Sequence, residues 1–190
     1  MANVDSPFGL RPVMMLDGSP WNGQTIECQF RAGDTTATFI GDLVELDATP
    51  GTAKCPTVKQ GAPATAAGFL GVVVGFEYDP SDLTSIYRAA STQRKCKVVP
   101  ALDVIFEIQE DSDGGALALT NVGQTCDVVV GSGNTTTGLS TMEIDSSEVG
   151  STANLHLLGV VDRADNEVGA NAKWLVRINE SVLRGAGTSV

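Results

Sequence analysis

Short apolar runs separated by glycine and polar turns form the main pattern along this chain. Valine, isoleucine, phenylalanine and threonine supply most of their bulk, as is typical of residues on a pleated β surface. In the segment DVIFEIQ, the apolar Val104, Phe106 and Ile108 recur at every second position, which is the period of a strand with one buried face. The pattern predicts strands within 25–30, 38–46, 68–78, 96–109, 125–130, 155–163 and 173–179.

Taken together, these runs predict a mainly β fold of antiparallel β-barrel or β-sandwich modules, with at most one or two short helices. FIGDLVEL followed by GFLGVVVGF is echoed later by NVGQTCDVVV followed by LHLLGVVDR, and glycine inside a strand marks a bulge or a corner. Two related small barrels joined near 95–105 would explain the echo, and chance similarity of valine-rich strands is the alternative. The expected division is an extended N-terminal arm (1–16), two β modules (17–98 and 99–182) and a flexible tail (183–190).

One segment has a helical pattern. In DPSDLTSIYRAA, Leu83, Ile86, Tyr87 and Ala90 are spaced as one face of a helix, and the segment begins with a plausible cap. The pattern therefore predicts a short helix over 79–90. An extended segment lying on the protein surface is the alternative.

The charge of the chain is strongly acidic. Twenty-three Asp and Glu residues against 12 Lys and Arg give a net charge of -11. Such a surface repels phosphate groups, so nucleic acid and anionic membranes are not expected as partners. No apolar run approaches 18 residues, and the opening residues lack the basic and apolar regions of a signal peptide, so we expect neither secretion nor a membrane span.

Four cysteines are spread singly along the chain, at Cys28, Cys55, Cys96 and Cys126, and no CxxC pair occurs. Three of them lie in strand-like runs, where a free cysteine behaves as a small buried apolar residue. We expect reduced thiols in a protein that folds in a cytoplasm. One or two disulfides, or a bound metal, are the alternatives.

Candidate catalytic and ligand-binding motifs are incomplete. His156 is the only histidine and has no G-x-S-x-G serine to serve, so a structural or interface role is expected. EDSDGG (110–115) resembles the start of a calcium loop but departs from it at Gly115, and a hairpin turn is the favoured interpretation. GSGNTTTG (131–138) fails the phosphate-loop and dinucleotide patterns and is predicted to be a flexible loop. We expect no catalytic residue, no cofactor and no metal.

Several motifs in a fixed order carry a family resemblance. SPFGLRPV, DGSPWNGQ, FIGDLVEL, GFLGVVVGF, YRAAST and VIFEIQED follow one another from about residue 3 to about residue 110. In this order they resemble tailed-bacteriophage head decoration (cement) proteins. The chain departs from that family in having YRAAST where members have a proline near Ala89 or Ala90, and PALD where they have an acid-Pro-acid sequence before the FEIQ strand. The resemblance implies a virion component on the capsid exterior, folded in the host cytoplasm, that locks neighbouring major capsid protein subunits together. It also implies self-association, with a trimer expected ahead of a dimer.

The candidate contact residues follow from this resemblance. Phe8 and Leu10, in a proline-marked arm, are expected to enter apolar grooves on a neighbour while Arg11 meets carboxylates. The alternative is that Phe8 and Leu10 fill the chain's own barrel. Trp21, in a turn after Pro20, is a further candidate contact, whereas Trp174 is expected to face the core.

A carbohydrate- or cell-surface-binding β module is the alternative function. Acidic, glycine- and threonine-rich loops on a β scaffold can bind sugars. Such a module needs exposed aromatic side chains on a concave face, and aromatic residues make up only 5% of this chain. Structural cementing is therefore the favoured hypothesis.

Overall fold

A computed structural model describes residues 3–63, 68–80, 82–150 and 153–184. Its regular structure is almost entirely β: eleven strands and two single turns of 3-10 helix, at Leu119–Asn121 and Val182–Arg184, lie in the described ranges. The strands are β1 (Arg11–Met15), β2 (Ile26–Phe30), β3 (Leu43–Leu46), β4 (Val58–Gln60), β5 (Phe69–Phe76), β6 (Arg94–Pro100), β7 (Val104–Gln109), β8 (Thr125–Val129), β9 (Glu143–Val149), β10 (Leu155–Val160) and β11 (Lys173–Ile178).

The strands form two antiparallel sheets. The six-stranded sheet has the order β1-β7-β11-β10-β8-β9, and the five-stranded sheet has the order β2-β6-β5-β3-β4. The mainly β, sandwich-like prediction is confirmed, whereas a closed barrel is not what the described strands form. The five-stranded sheet is curled, and one isolated parallel bridge joins Gln29 of β2 to Thr57, the residue before β4.

The two sheets share one hydrophobic core. Leu43, Phe69 and Val72 of the five-stranded sheet pack in the same cluster as Phe106 and Trp174 of the six-stranded sheet. A second cluster, which contains Cys28, Phe30, Leu70 and Val73, fills the concave side of the curled sheet. The first part of β5 therefore has both faces buried, because Phe69 and Val72 face one cluster and Leu70 and Val73 face the other. This explains why GFLGVVVGF is apolar at nearly every position.

The echoed segments occupy corresponding places in the two sheets. β3 pairs with β5 in the five-stranded sheet, and β8 pairs with β10 in the six-stranded sheet, in both cases antiparallel. β5 and β10 each have a register shift ending at a glycine, Gly75 and Gly159. A glycine thus marks an irregular point of the returning strand in both halves, as expected for a bulge.

The helix predicted over 79–90 is wrong. The described residues of this segment follow an extended path with turns, as in the alternative interpretation, and Leu83 is 79% exposed. The guanidinium of Arg94 binds the backbone carbonyls of Ser85 and Tyr87, and a helix would have used the Ser85 carbonyl within itself. The apolar spacing that suggested a helix therefore does not form a buried face.

The hairpin predicted at 110–115 is also wrong. A turn does form at 113–114, but β7 pairs with β1 and β11, and the chain after the turn does not return along β7. Leu117 enters the shared core, and its backbone N–H donates to Oε2 of the buried Glu110 at 2.7 Å. A buried carboxylate thus fixes the path of the chain here.

The four cysteines are free thiols in this structure. Cys28 and Cys96 lie opposite each other in the pairing of β2 with β6, and both are buried. Burial raises the pKa of Cys28 to about 12, and likewise that of Cys126, so these side chains act as small apolar residues. Cys55 is only partly buried.

Candidate partner-binding groove

A groove of about 400 Å³ lies beside the start of β1. All four contact residues predicted from the sequence line it, and the full lining is Phe8, Leu10, Arg11, Pro12, Trp21, Ile40, Gly41, Val74 and Leu139. Hereafter this set is called the groove.

The N-terminal segment that forms one wall lies along its own molecule. The side chain of Asn3 donates to the carbonyl oxygens of Glu167 and Ala170 at 2.8 and 2.9 Å. The side-chain amide of Gln109 donates to the carbonyl of Val4 at 2.7 Å, and Arg11–Met15 pair with β7. The predicted extended arm over 1–16 is thus bonded to its own molecule at Asn3, at Val4 and along Arg11–Met15.

The expectation that Leu10 enters a groove on a neighbouring molecule is wrong. Its side chain is 2% exposed and belongs to the shared core, so it forms the floor of the groove and is not available to enter another molecule. For Leu10 the own-core alternative holds. Phe8 and Trp21 are partly buried, and Arg11 is exposed.

Two glycines allow the arm to cross the chain that precedes β3. Gly9 has φ 72°, and a Cβ there would lie 2.4 Å from Cβ of Ser140. Gly41 has φ 98°, and a Cβ there would lie 2.7 Å from the carbonyl oxygen of Phe8. The N–H of Leu10 donates to the carbonyl of Gly41 at 2.9 Å across this crossing. Because the crossing lies between Phe8 and Arg11, it sets the position of both.

The walls of the groove are apolar and its one charged lining residue is a cation. The guanidinium carbon of Arg11 lies 4.4 Å from the centroid of the Phe8 ring. Trp21 packs against the shared core, and its indole N–H donates to the carbonyl of Gln24 at 3.4 Å. An apolar side chain with a carboxylate beside it is the chemistry that fits this lining.

A buried carboxylate lies directly after the groove residue Gly41. Asp42 is fully buried, and its Oδ2 accepts from the N–H of Phe39 at 2.8 Å and from Nε2 of Gln60 at 3.0 Å. Burial raises its pKa to about 6, although the Ser140 hydroxyl and these two donors act in the opposite direction. The folded protein therefore holds a proton on Asp42 at pH values where the unfolded chain has lost it.

Lowering the pH from 7 to 5 is expected to make Asp42 stabilise the fold by about 1 kcal/mol more. The sign follows because the folded pKa, about 6, lies above the ordinary value of 3.8, so the penalty for a buried charge disappears as pH falls. Urea titrations of the wild type and of Asp42→Asn at both pH values measure the difference.

The same titration needs the Asp42→Asn variant as a control, because a second acid, Glu143, titrates in the same pH range. Burial, followed by Asp5 and Asp111, raises the pKa of Glu143 to about 7, so the wild type gains stability from Glu143 as well as from Asp42 as pH falls. Asp42→Asn should remove only its own part. Equal pH dependence in Asp42→Asn and the wild type would contradict this assignment.

His156 has a structural environment. One ring nitrogen, Nε2, lies 3.0 Å from the carbonyl oxygen of Gly123, and Nε of Arg177 donates to Nδ1 at 3.2 Å. These contacts fit the tautomer with its proton on Nε2. The histidine ties β10 and β11 to the turn before β8.

A small acidic cluster was only partly visible in the sequence. Carboxylate oxygens of Asp111, Asp113 and Asp145 lie within 4.8 Å of one another. EDSDGG indicated the first two, but Asp145 comes from β9, which was not predicted. Oδ1 of Asp111 accepts hydrogen bonds from Ser146, so it already has protein partners. Each residue brings one carboxylate oxygen to the cluster, fewer in total than the six to eight oxygens typical of Ca²⁺.

Comparisons with protein-family models, with curated proteins and with solved structures returned no match. Among the described residues, no helix has the length and apolar composition needed to cross a bilayer. The groove is therefore interpreted from its own geometry and from the sequence motifs.

Proposed function

We propose that this chain is a structural protein of a tailed-bacteriophage virion. It binds the outer surface of the capsid and cements neighbouring major capsid protein subunits, without catalysing a reaction. The observation that carries the proposal is that Phe8, Arg11 and Trp21 line one apolar groove. Phe8 and Arg11 belong to the SPFGLRPV motif. The ordered motifs that resemble head decoration proteins support the same function.

The physical basis of cementing is the repetition of modest contacts. A symmetric shell repeats each contact many times, so a weak individual contact gives strong attachment overall. The groove is preformed, because its arm is held to its own sheet by β1 and by the Gly9–Gly41 crossing. Little conformational entropy is then lost when a partner segment binds.

Co-sedimentation with purified capsids tests this function. We expect the wild-type protein to sediment with capsids that lack it and to raise their melting temperature. Trp21→Ala should weaken binding about tenfold or more, because large aromatic side chains dominate most protein interfaces. Leu119→Ala, which removes another exposed apolar side chain outside the groove, should bind as the wild type does.

The same assay distinguishes the alternative function. Absence of the wild-type protein from the capsid pellet would contradict the cement proposal. Sedimentation with insoluble polysaccharide in place of capsids would favour the carbohydrate-binding module. Circular dichroism melting of each variant separates a binding defect from a folding defect.

A further inference from the structure

The turn between β1 and β2 contains the only asparagine of this chain that is followed by glycine. Asn22 and Gly23 are both exposed and lie outside the strands. In any asparagine-containing chain, a side chain on the next residue hinders attack of that residue's backbone nitrogen on the asparagine amide, and glycine has no side chain. A Cβ built at Gly23 would meet nothing within 4 Å, so the surroundings of this step are open. Asn22 is therefore well placed to react with its own backbone.

The backbone nitrogen that would react is not held by a hydrogen bond. Among the described residues, neither the N–H of Gly23 nor the side-chain amide of Asn22 has a hydrogen-bond partner. The two Asp-Gly steps of the chain differ, because the N–H groups of Gly18 and Gly114 donate to acceptors at 3.0 and 3.2 Å. The Asn22–Gly23 step thus combines an exposed amide with an uncommitted nitrogen.

We propose that Asn22 is a site of spontaneous deamidation through a cyclic succinimide. The backbone nitrogen of Gly23 loses its proton and bonds to Cγ of Asn22, while the Cγ–Nδ2 bond breaks and the amide group leaves with a proton as ammonia. Water then opens the imide at one of its two carbonyls. Opening at Cγ gives aspartate, and opening at the main-chain carbonyl gives isoaspartate, whose backbone runs through the former side chain. The net change is uptake of one water and release of one ammonia.

The isoaspartate product alters the loop that positions Trp21 in the groove. The indole N–H of Trp21 donates to the carbonyl of Gln24 at 3.4 Å, and the backbone N–H of Asn22 donates to Oε1 of Gln24 at 3.4 Å. Isoaspartate adds one carbon to the backbone between Trp21 and Gln24. The two bonds that hold the indole against its own loop are therefore disturbed.

Both products also add a carboxylate beside the groove. The backbone N–H of Trp21 donates to the carbonyl of Val13 at 3.3 Å, so the turn lies against β1 close to Arg11 in the chain. Arg11 is the one charged lining residue of the groove, and a new acid on the same molecule competes with a partner's acid for it. Deamidation is thus expected to weaken binding in the groove. This consequence rests on the proposed function, whereas the modification itself does not.

Peptide mapping by mass spectrometry tests the modification on protein incubated in warm, mildly alkaline buffer. We expect Asn22 to show the mass gain of an amide-to-acid conversion before any other asparagine, with aspartate and isoaspartate as separately eluting products. Asn22→Gln keeps an amide but needs a larger ring, and Gly23→Ala adds a side chain to the attacking residue, so both should lose the conversion at this step. Earlier conversion of another asparagine, or undiminished conversion in Gly23→Ala, would overturn the proposal.

Tryptophan fluorescence tests the effect on the groove without any partner. Trp174 is fully buried, so quenching by the neutral molecule acrylamide reports mainly on the partly buried Trp21. Incubated wild type should be quenched more strongly than fresh wild type, and incubated Asn22→Gln should be quenched as its fresh form is. If quenching is unchanged after full conversion of Asn22, the modification does not disturb the groove and that part of the proposal fails.

Capsid binding by the same samples separates this inference from the proposed function. Converted protein should bind capsids about tenfold more weakly than fresh protein, as expected when an aromatic contact is lost. Incubated Asn22→Gln should bind as its fresh form does. Converted protein with unchanged affinity would reject the effect on partner binding and leave the cement function standing. Fresh protein that ignores capsids, while Asn22 converts and quenching rises, would reject the cement function and leave the modification standing.

Discussion

Arg88→Met is expected to lower the free energy of unfolding by about 3–5 kcal/mol, the cost typical of breaking a buried ion pair. Arg88 is fully buried and all five of its N–H groups are used. Nε donates to Thr92 O at 2.8 Å, and Nη2 donates to Arg31 O and Asp34 O at 2.8 and 2.9 Å. Nη1 donates to Oδ2 of Asp34 at 3.0 Å and to Thr36 O. Methionine fills similar space but leaves these acceptors without a donor.

Arg88→Lys is expected to be almost as damaging. An ammonium group has three donors at one point, whereas the guanidinium reaches five acceptors and also lies over the Phe30 ring, 5.2 Å from its centroid. Lys97→Met is the matched control, because Lys97 pairs with Glu27 at 3.0 Å on the surface, where an ion pair contributes little to stability. Urea unfolding followed by fluorescence measures all three variants. If the free energy of unfolding of Arg88→Met lies within about 1 kcal/mol of the wild-type value, as expected of a surface pair, the hydrogen bonds of Arg88 are not needed for stability.

Gly9→Ala is expected to destabilise the protein by about 2–5 kcal/mol, combining left-handed backbone strain with overpacking. The added methyl group would lie 2.4 Å from Cβ of Ser140 and 2.6 Å from the carbonyl oxygen of Gly41, so the arm must move away from the crossing. Since the neighbouring Phe8 and nearby Arg11 line the groove, partner binding should weaken as well. Thermal unfolding and sedimentation of the same preparation measure both effects.

Gly23→Ala separates the two causes of the Gly9 effect. Gly23 also has a positive φ, 96°, but a Cβ added there would meet nothing within 4 Å. This variant should therefore show backbone strain alone, about 1–2 kcal/mol. If Gly9→Ala is no more destabilised than Gly23→Ala, the close approach of the two chains at the crossing has no energetic importance.

Local alternation predicted most of the strands. β11 illustrates this: Trp174, Val176 and Ile178 alternate with partly exposed residues, and the prediction that Trp174 faces the core is confirmed by its complete burial. The strands that were missed are β1, β4 and β9. β4 is only three residues long, and β9, EIDSSEV, is polar on most positions, so neither carries a strong two-residue period.

The candidate contact residues were only partly predictable. Phe8, Arg11 and Trp21 were identified from the sequence, and the structure brings them to one groove. Ile40, Val74 and Leu139 were not, because they come from distant segments and resemble ordinary strand or loop residues. The floor position of Leu10 depends on a core built from both sheets, which no local pattern reports.

By itself, the sequence determined most of the segments that become strands and which of their faces are apolar, because the alternation of side chains along a strand is a local property. Only the tertiary structure decided the path of residues 82–92 and the assembly of the groove. The backbone N–H and carbonyl of Arg88 pair with those of Thr38, both at 2.9 Å, so they are not available for the local hydrogen bonds that a helix would have formed. Contacts between distant segments outweighed local helical spacing, because a buried guanidinium must find all its acceptors.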